Sequence, residues 1–256
     1  MFEVIEKKTG KRRAVYAVDG DKFLVSTEDG FVLRNMALYA PVSQESGTAP
    51  EATPCVFSTA RHDATDLDKL LASITSGETT VELGDMISMR LLDGTEVDLV
   101  VTNQDDKTVR LESRDCLDVN TSARGLADYL EKVYKLLPDA LKKRVVEVER
   151  AHLDSDGARY TERCKLFVPA ASELFSPDEC YGDKGLYEQL EWYKDVHNRV
   201  RADCKGGDSH WYWTSSPFSS NSSHFCYVSS FGSASNSAAS STYGLAPFGC
   251  IISKTC

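Results

Sequence analysis

The chain has 256 residues, 41% hydrophobic and 27% charged, a balance that allows a sizeable core and excludes wholesale disorder or a membrane-embedded class. Of its 68 charged residues, 67 lie in positions 1–208, where 28 basic against 39 acidic side chains leave a net of −11. That acidity repels phosphates, and the one basic cluster (Lys7, Lys8, Lys11, Arg12, Arg13) is short and flanked by acids, so no nucleic-acid partner is expected.

The opening MFEVIE lacks a secretory pattern and no run reaches the ~20 apolar residues of a spanning helix. Synthesis in the cytoplasm, without a signal peptide or membrane insertion, is the expectation. Residues 1–43 read as a small β-meander, with Ala14–Val18, Phe23–Val25 and Phe31–Leu33 as strands and Asp19-Gly20 and Asp29-Gly30 as hairpin signals. Residues 44–56, rich in Ser, Pro, Gly and Glu, have the composition of a linker.

Residues 57–256 form the main domain. Leu67, Leu70, Leu71 and Ile74 predict a helix capped by Thr65 or Asp66 and stopped at Gly77. Strands are predicted at 79–83, 86–92 and 97–102, the last two joined by Asp93-Gly94, with a further one at 109–111. Leu126, Leu130, Val133 and Leu137 predict a helix over 122–137 with Ser122 as cap, and Pro138 stops it or opens a second helix reaching 145 or 146. Asp154-Ser-Asp-Gly157 has the start of a calcium loop without its remaining ligands and reads as a turn. A strand at 165–168 and a short helix at 186–193 follow. Helices and strands mix without regular alternation and without a Gly-rich phosphate loop, which predicts an α+β fold. The eight cysteines and five histidines show neither a CxxC pair nor zinc spacing, so the cysteines read as reduced and no metal or other cofactor is expected.

The 45 residues from Ser209 to Ser253 contain no Asp, Glu, Lys or Arg. Thirteen serines lie between 215 and 241, but Phe218, Phe225, Tyr227, Val228, Phe231, Leu245, Phe248, Ile251 and Ile252 are too large a hydrophobic complement for a solvated tail. Phe225–Val228 predicts a strand, Phe231-Gly232 a turn and Gly244–Ile252 a closing strand, with Trp211 and Trp213 as core anchors.

The run Trp213-Thr-Ser-Ser-Pro217, then Phe225-Cys-Tyr-Val228, Gly232, Ala239 and Gly244-Leu-Ala-Pro-Phe-Gly-Cys-Ile251 resembles the C-terminal signature of a domain family of unknown function. That family is common in Gram-positive bacteria and their phages and is related to the C-type-lectin-like fold of formylglycine-generating enzymes. Upstream, Gly84-Asp85, the 122–137 helix and Lys165-Leu-Phe-Val-Pro-Ala-Ala-Ser-Glu173 occur in the family's order. The resemblance implies a C-type-lectin-like domain of small antiparallel sheets and two main helices over 57–256.

Such domains are similar to the variable proteins of diversity-generating retroelements, in which template adenines are rewritten so that AAC codons become NNC. NNC never encodes Lys, Gln, Glu, Met or Trp, and residues 214–253 contain none of these, although NNC allows the equally absent Asp and Arg. The resemblance thus implies a non-catalytic recognition protein with a variable region at about 213–252, an unknown protein or glycan ligand, and possible display on a virion. Ser, Asn, Tyr and other aromatics are also paratope chemistry, giving adaptable hydrogen bonds and contact area at low entropic cost.

The displayed positions are then Ser222, Ser223, His224, Tyr227, Ser229, Ser230, Phe231, Ser233, Ser235, Asn236, Ser237, Ser240, Ser241, Thr242 and Tyr243. Phe218, Phe225, Val228, Leu245 and Ile251 serve as scaffold. The alternatives are an undiversified structural or carbohydrate-binding domain of the same fold and, behind it, a cysteine-dependent enzyme using Cys226 or Cys250, for which no catalytic motif is found.

Overall fold

The computed structural model describes residues 60–254 except 64, 65, 118, 119, 155, 156, 181, 184, 205–208, 222 and 243, together with the backbone of five strands within the first 41 residues. The chain divides into two compact units, 1–55 and 56–256. The expected linker at 44–56 lies outside the described residues.

In the first unit β1 (Phe2–Glu6), β2 (Arg12–Asp19), β3 (Lys22–Thr27), β4 (Gly30–Asn35) and β5 (Tyr39–Pro41) form one antiparallel sheet in the order β4-β3-β2-β1-β5. Asp19 pairs with Lys22 and Thr27 with Gly30, at the two sites where Asp-Gly marks a hairpin. A register shift between Val15 and Ala17 gives β2 a bulge.

The second unit begins with β6 (Arg61–Asp63) and α1 (Leu67–Ser76). The Asp66 carboxylate accepts from the Lys69 N–H at 3.2 Å, and Gly77 ends the helix at a φ of 79°. The meander β7 (Met86–Arg90), β8 (Glu96–Gln104) and β9 (Thr108–Ser113) follows. The strand expected at 79–83 does not form, because the Asp85 carboxylate accepts from the Glu82 N–H at 3.0 Å and closes a turn there.

A 3₁₀ turn at Ala123–Gly125, capped by Ser122, leads into α2 (Leu126–Leu136). The helix after Pro138, α3 (Asp139–Lys142), is shorter than expected, since Val145 bridges Ile252 and the Val146 N–H donates to the Ile251 carbonyl. Asp154 Oδ1 accepts from the Ala158 N–H at 2.8 Å, making the turn of an unexpected hairpin, β10 (Val148–Leu153) and β11 (Arg159–Cys164).

Next come β12 (Leu166–Phe167) and α4 (Ala171–Leu174). The helix expected over 186–193 is only a 3₁₀ turn at Glu191–Lys194. Tyr187 N–H donates to Ser172 Oγ and Leu190 N–H to the Glu173 carbonyl, which spends the segment's amides on α4 rather than on a helix of its own.

A further 3₁₀ turn at Val196–Arg199 follows, and the remaining elements are β13 (Arg201–Ala202), β14 (Ser209–His210), β15 (Tyr212–Pro217), β16 (His224–Val228), β17 (Ala234–Ala238) and β18 (Gly249–Ser253). The central sheet runs β12-β18-β9-β8-β7-β6, antiparallel except for β6 and β7. The closing strand is shorter than the expected Gly244–Ile252, because Gly244 and Leu245 bridge Thr121 and Tyr212 instead. Leu71, Ile74, Val133, Leu111, Trp213 and Ile252 share one core between helices and sheet.

The architecture is mixed helix and sheet, α+β, with several small sheets and few helices. Among the described residues no helix is long and apolar enough to cross a membrane.

Candidate binding face

Within the uncharged segment β15, β16 and β17 form a three-stranded sheet with β16 in the middle, β15 the most buried strand and β17 at one edge. Trp213 is fully buried and its Nε1–H donates to the Thr121 carbonyl at 3.0 Å. The polar residues after it are equally internal. Thr214 Oγ1 donates to the Cys226 carbonyl at 2.9 Å, and Ser216 Oγ donates to Asp183 Oδ2 while accepting from the Ala171 N–H, both at 2.7 Å. The Thr214 hydroxyl thus ties β15 to β16, and the Ser216 hydroxyl pins the sheet to α4 and its following loop, tasks that a Ser-rich composition does not reveal.

The two faces of β16 separate by the period of two that any strand imposes. Phe225 and Tyr227 pack on the core that holds Trp213, whereas Cys226 and Val228 pack with Tyr212, Tyr193 and Leu245 in a second cluster. Trp211 packs against the core from its border. It is only partly buried, and its ring lies 5.1 Å from that of Trp213 and 4.9 Å from that of Tyr227. This aromatic cluster closes over Gly244, where an added Cβ would come within 2.4 Å of Trp213 Nε1 and 2.6 Å of the Trp211 ring.

The candidate positions fall into four groups. Tyr227, Ser235 and Ser237 share the Trp213 side of the sheet, by the pairings Tyr227–Ser235 and Phe225–Ser237. His224 and Asn236 share the other side, where His224 Nδ1 and Asn236 Oδ1 are 2.8 Å apart. Ser229, Ser230, Phe231 and Ser233 form the β16–β17 turn, in which Gly232 has a φ of 78° and Phe231 is 62% exposed. Ser240, Ser241 and Thr242 follow β17, Ser223 precedes β16, and Ser222 and Tyr243 lie outside the described residues. They therefore surround the edge strand instead of sharing one flat face.

None of the thirteen described positions is buried, while Cys226, Val228, Gly232 and Ala239, interleaved among them, all are. Among the expected scaffold residues Val228 and Leu245 are buried and Phe218 and Phe225 half-buried. Ile251 is only half-buried, so the scaffold role in β18 belongs to Cys250 and Ile252, which the strand's alternation turns inward.

Both cysteines of the segment are buried. Burial pushes the Cys250 thiol up to about 12 and the Cys226 thiol well above its ordinary range. Cys226 Sγ faces the Pro217 carbonyl at 3.7 Å and His224 faces Asn236, so the two do not form a pair. Among the described residues no group of three or more His, Cys, Asp or Glu could hold a metal ion.

The core of the second unit holds a feature that sequence reading misses. Arg150, Glu173, Arg110, Glu112 and Arg201 form a buried chain of alternating charge, drawn from β10, α4, β9 and β13. Glu173 accepts from Arg110 at 2.5 and 3.1 Å, from Arg150 at 2.7 and 2.6 Å, and from the Ala170 N–H at 2.8 Å. Glu112 accepts from Arg110 Nε at 2.8 Å, Arg201 at 2.9 Å, Tyr193 Oη at 2.5 Å and Thr102 Oγ1 at 3.0 Å. Both Arg110 and Arg150 also lie over the Phe167 ring, 4.7 and 4.4 Å from its centroid. The one sequence signal is Arg110 and Glu112 at alternate positions of β9, flanking Leu111.

No curated protein and no solved structure matches the chain. Residues 123–253, from the turn before α2 to the last residue of β18, match the family described as Domain of unknown function (DUF6273), and the chain belongs to that family.

Proposed function

We propose that this protein is a non-catalytic recognition protein whose second unit is a C-type-lectin-like domain. Its ligand site is the rim of the β15-β16-β17 sheet, sequence-diversified in the manner of retroelement variable proteins. One observation carries the reading: no described candidate position is buried, whereas Cys226, Val228, Gly232 and Ala239, interleaved with them, are. A surface so divided tolerates many side chains without loss of the core. The buried, proton-retaining thiols of Cys226 and Cys250 support recognition over cysteine chemistry.

The ligand is a protein or glycan surface, met by Ser and Asn hydrogen bonds and by Tyr227 and Phe231 as contact area. An uncharged rim spares the complex the cost of desolvating ions against a changing partner. The reading makes no use of a cofactor, nucleic acid or membrane.

The test is the gene's neighbourhood. A reverse-transcriptase gene beside a near-copy of the 3′ end, differing at adenines within codons for 222–243, is the expected result. Neighbourhoods without such a repeat across several related loci overturn diversification and leave an invariant binding domain.

A further inference from the structure

We propose that β17 is a self-pairing edge, through which two copies of the chain join their three-stranded sheets into one continuous antiparallel sheet. The phase of the edge follows from two bonds. Ser229 N–H donates to the Ser233 carbonyl and Ala239 N–H to the Ser223 carbonyl, both at 2.8 Å. With Tyr227 opposite Ser235 and Phe225 opposite Ser237, these bonds direct the backbone groups of Ser235 and Ser237 toward β16. The N–H and C=O groups of Ala234, Asn236 and Ala238 therefore point outward. Among the described residues only the Ala238 carbonyl of these has a partner, the Ser241 N–H at 2.9 Å, and a carbonyl can accept twice.

The strand reads Ala-Ser-Asn-Ser-Ala, the same in both directions. Antiparallel pairing centred on Asn236 sets Ala234 opposite Ala238 of the second copy, Ser235 opposite Ser237 and Asn236 opposite Asn236. The three outward-facing residues then fall at hydrogen-bonded positions, and the serines meet as hydroxyl pairs. No side chain on the strand exceeds Asn in size, and the Lys, Pro or bulge that usually blunts an edge is missing from it. The rest of the chain carries a net of −11 in positions 1–208, so a charge-free edge is where two like-charged copies meet with least repulsion. Pairing by main chain also survives changes of side chain at Ser235 and Ser237.

Sedimentation velocity on the full chain, from about 10 μM to about 1 mM, should show reversible passage from monomer to dimer, a concentration range suited to a weak contact. Asn236→Pro removes an N–H that points away from β16. Across the two-fold this deletes two hydrogen bonds, which should weaken dimerisation about 10-fold or more. Asn236→Lys sets two like charges against each other on the axis and should weaken it likewise. Hydrogen exchange of the unaltered protein gives a reading that needs no variant: the Ala234 and Asn236 amides should slow as concentration rises, while Ser235 and Ser237 should not respond. A monomer throughout the range overturns the proposal. So does a dimer that both substitutions leave intact with native circular dichroism, or exchange at Ala234 and Asn236 that ignores concentration.

Discussion

The main domain reverses the usual placement of charge in two of its regions. Five ionised side chains, Arg110, Glu112, Arg150, Glu173 and Arg201, lie buried in the core, whereas the segment from Ser209 to Ser253, which supplies much of the candidate face, carries none. The two regions obey different rules. A buried charge must have a partner in fixed geometry, so the network ties β9, β10, β13 and α4 into one arrangement. A half-exposed serine has water as an alternative partner, so the rim around β17 imposes little on the fold. What the contrast teaches is that fold specificity and surface freedom have been assigned to separate residues.

The sharpest way to break this division is at its centre. Glu173→Gln leaves Arg110 and Arg150 buried beside a neutral side chain and should cost about 3–5 kcal/mol in urea unfolding. Next in size, Ile252→Ala should cost about 2–5 kcal/mol through the cavity it opens, while Ile251→Ala, one residue away on the half-exposed face of β18, should cost less than half as much. Equal losses would mean that β18 does not separate inward from outward positions, and a larger loss at Ile251 that they are inverted.

Acid offers an intermediate test. Burial alone would push the Glu173 carboxyl up, but Arg110 and Arg150 hold it well below its ordinary 4.5. A carboxyl lowered on folding stabilises the native state above its unfolded pKa, and this contribution drains away as pH falls below about 4.5. The penalty of Glu173→Gln should therefore shrink between pH 7 and pH 3, by on the order of 1–2 kcal/mol. A penalty independent of pH would show that Glu173 acts by shape and not by charge. The smallest effects belong to the rim: Ser235→Tyr and Ser241→His should each shift the thermal midpoint by no more than about 0.5 kcal/mol of stability would. Large losses there would end the idea of a tolerant surface.

Local signals in the sequence determined much of this protein. Asp66 and Gly77 delimit α1, Ser122 and Pro138 bracket the helical stretch around α2, and Asp93-Gly94 turns β7 into β8, because caps and turns are satisfied by neighbours within a few residues. The aromatic and β-branched run Phe225–Val228 and the Phe231-Gly232 pair likewise placed β16 and its turn. Tertiary structure decided the rest. It gave the 186–193 segment to α4 instead of a helix, set β18 between β12 and β9, made Ile252 and not Ile251 the buried isoleucine, and gathered five distant charges into one network. Each of these depends on a partner far along the chain, and a residue's own identity does not say which distant group will offer it a better hydrogen bond, a closer packing or an opposite charge.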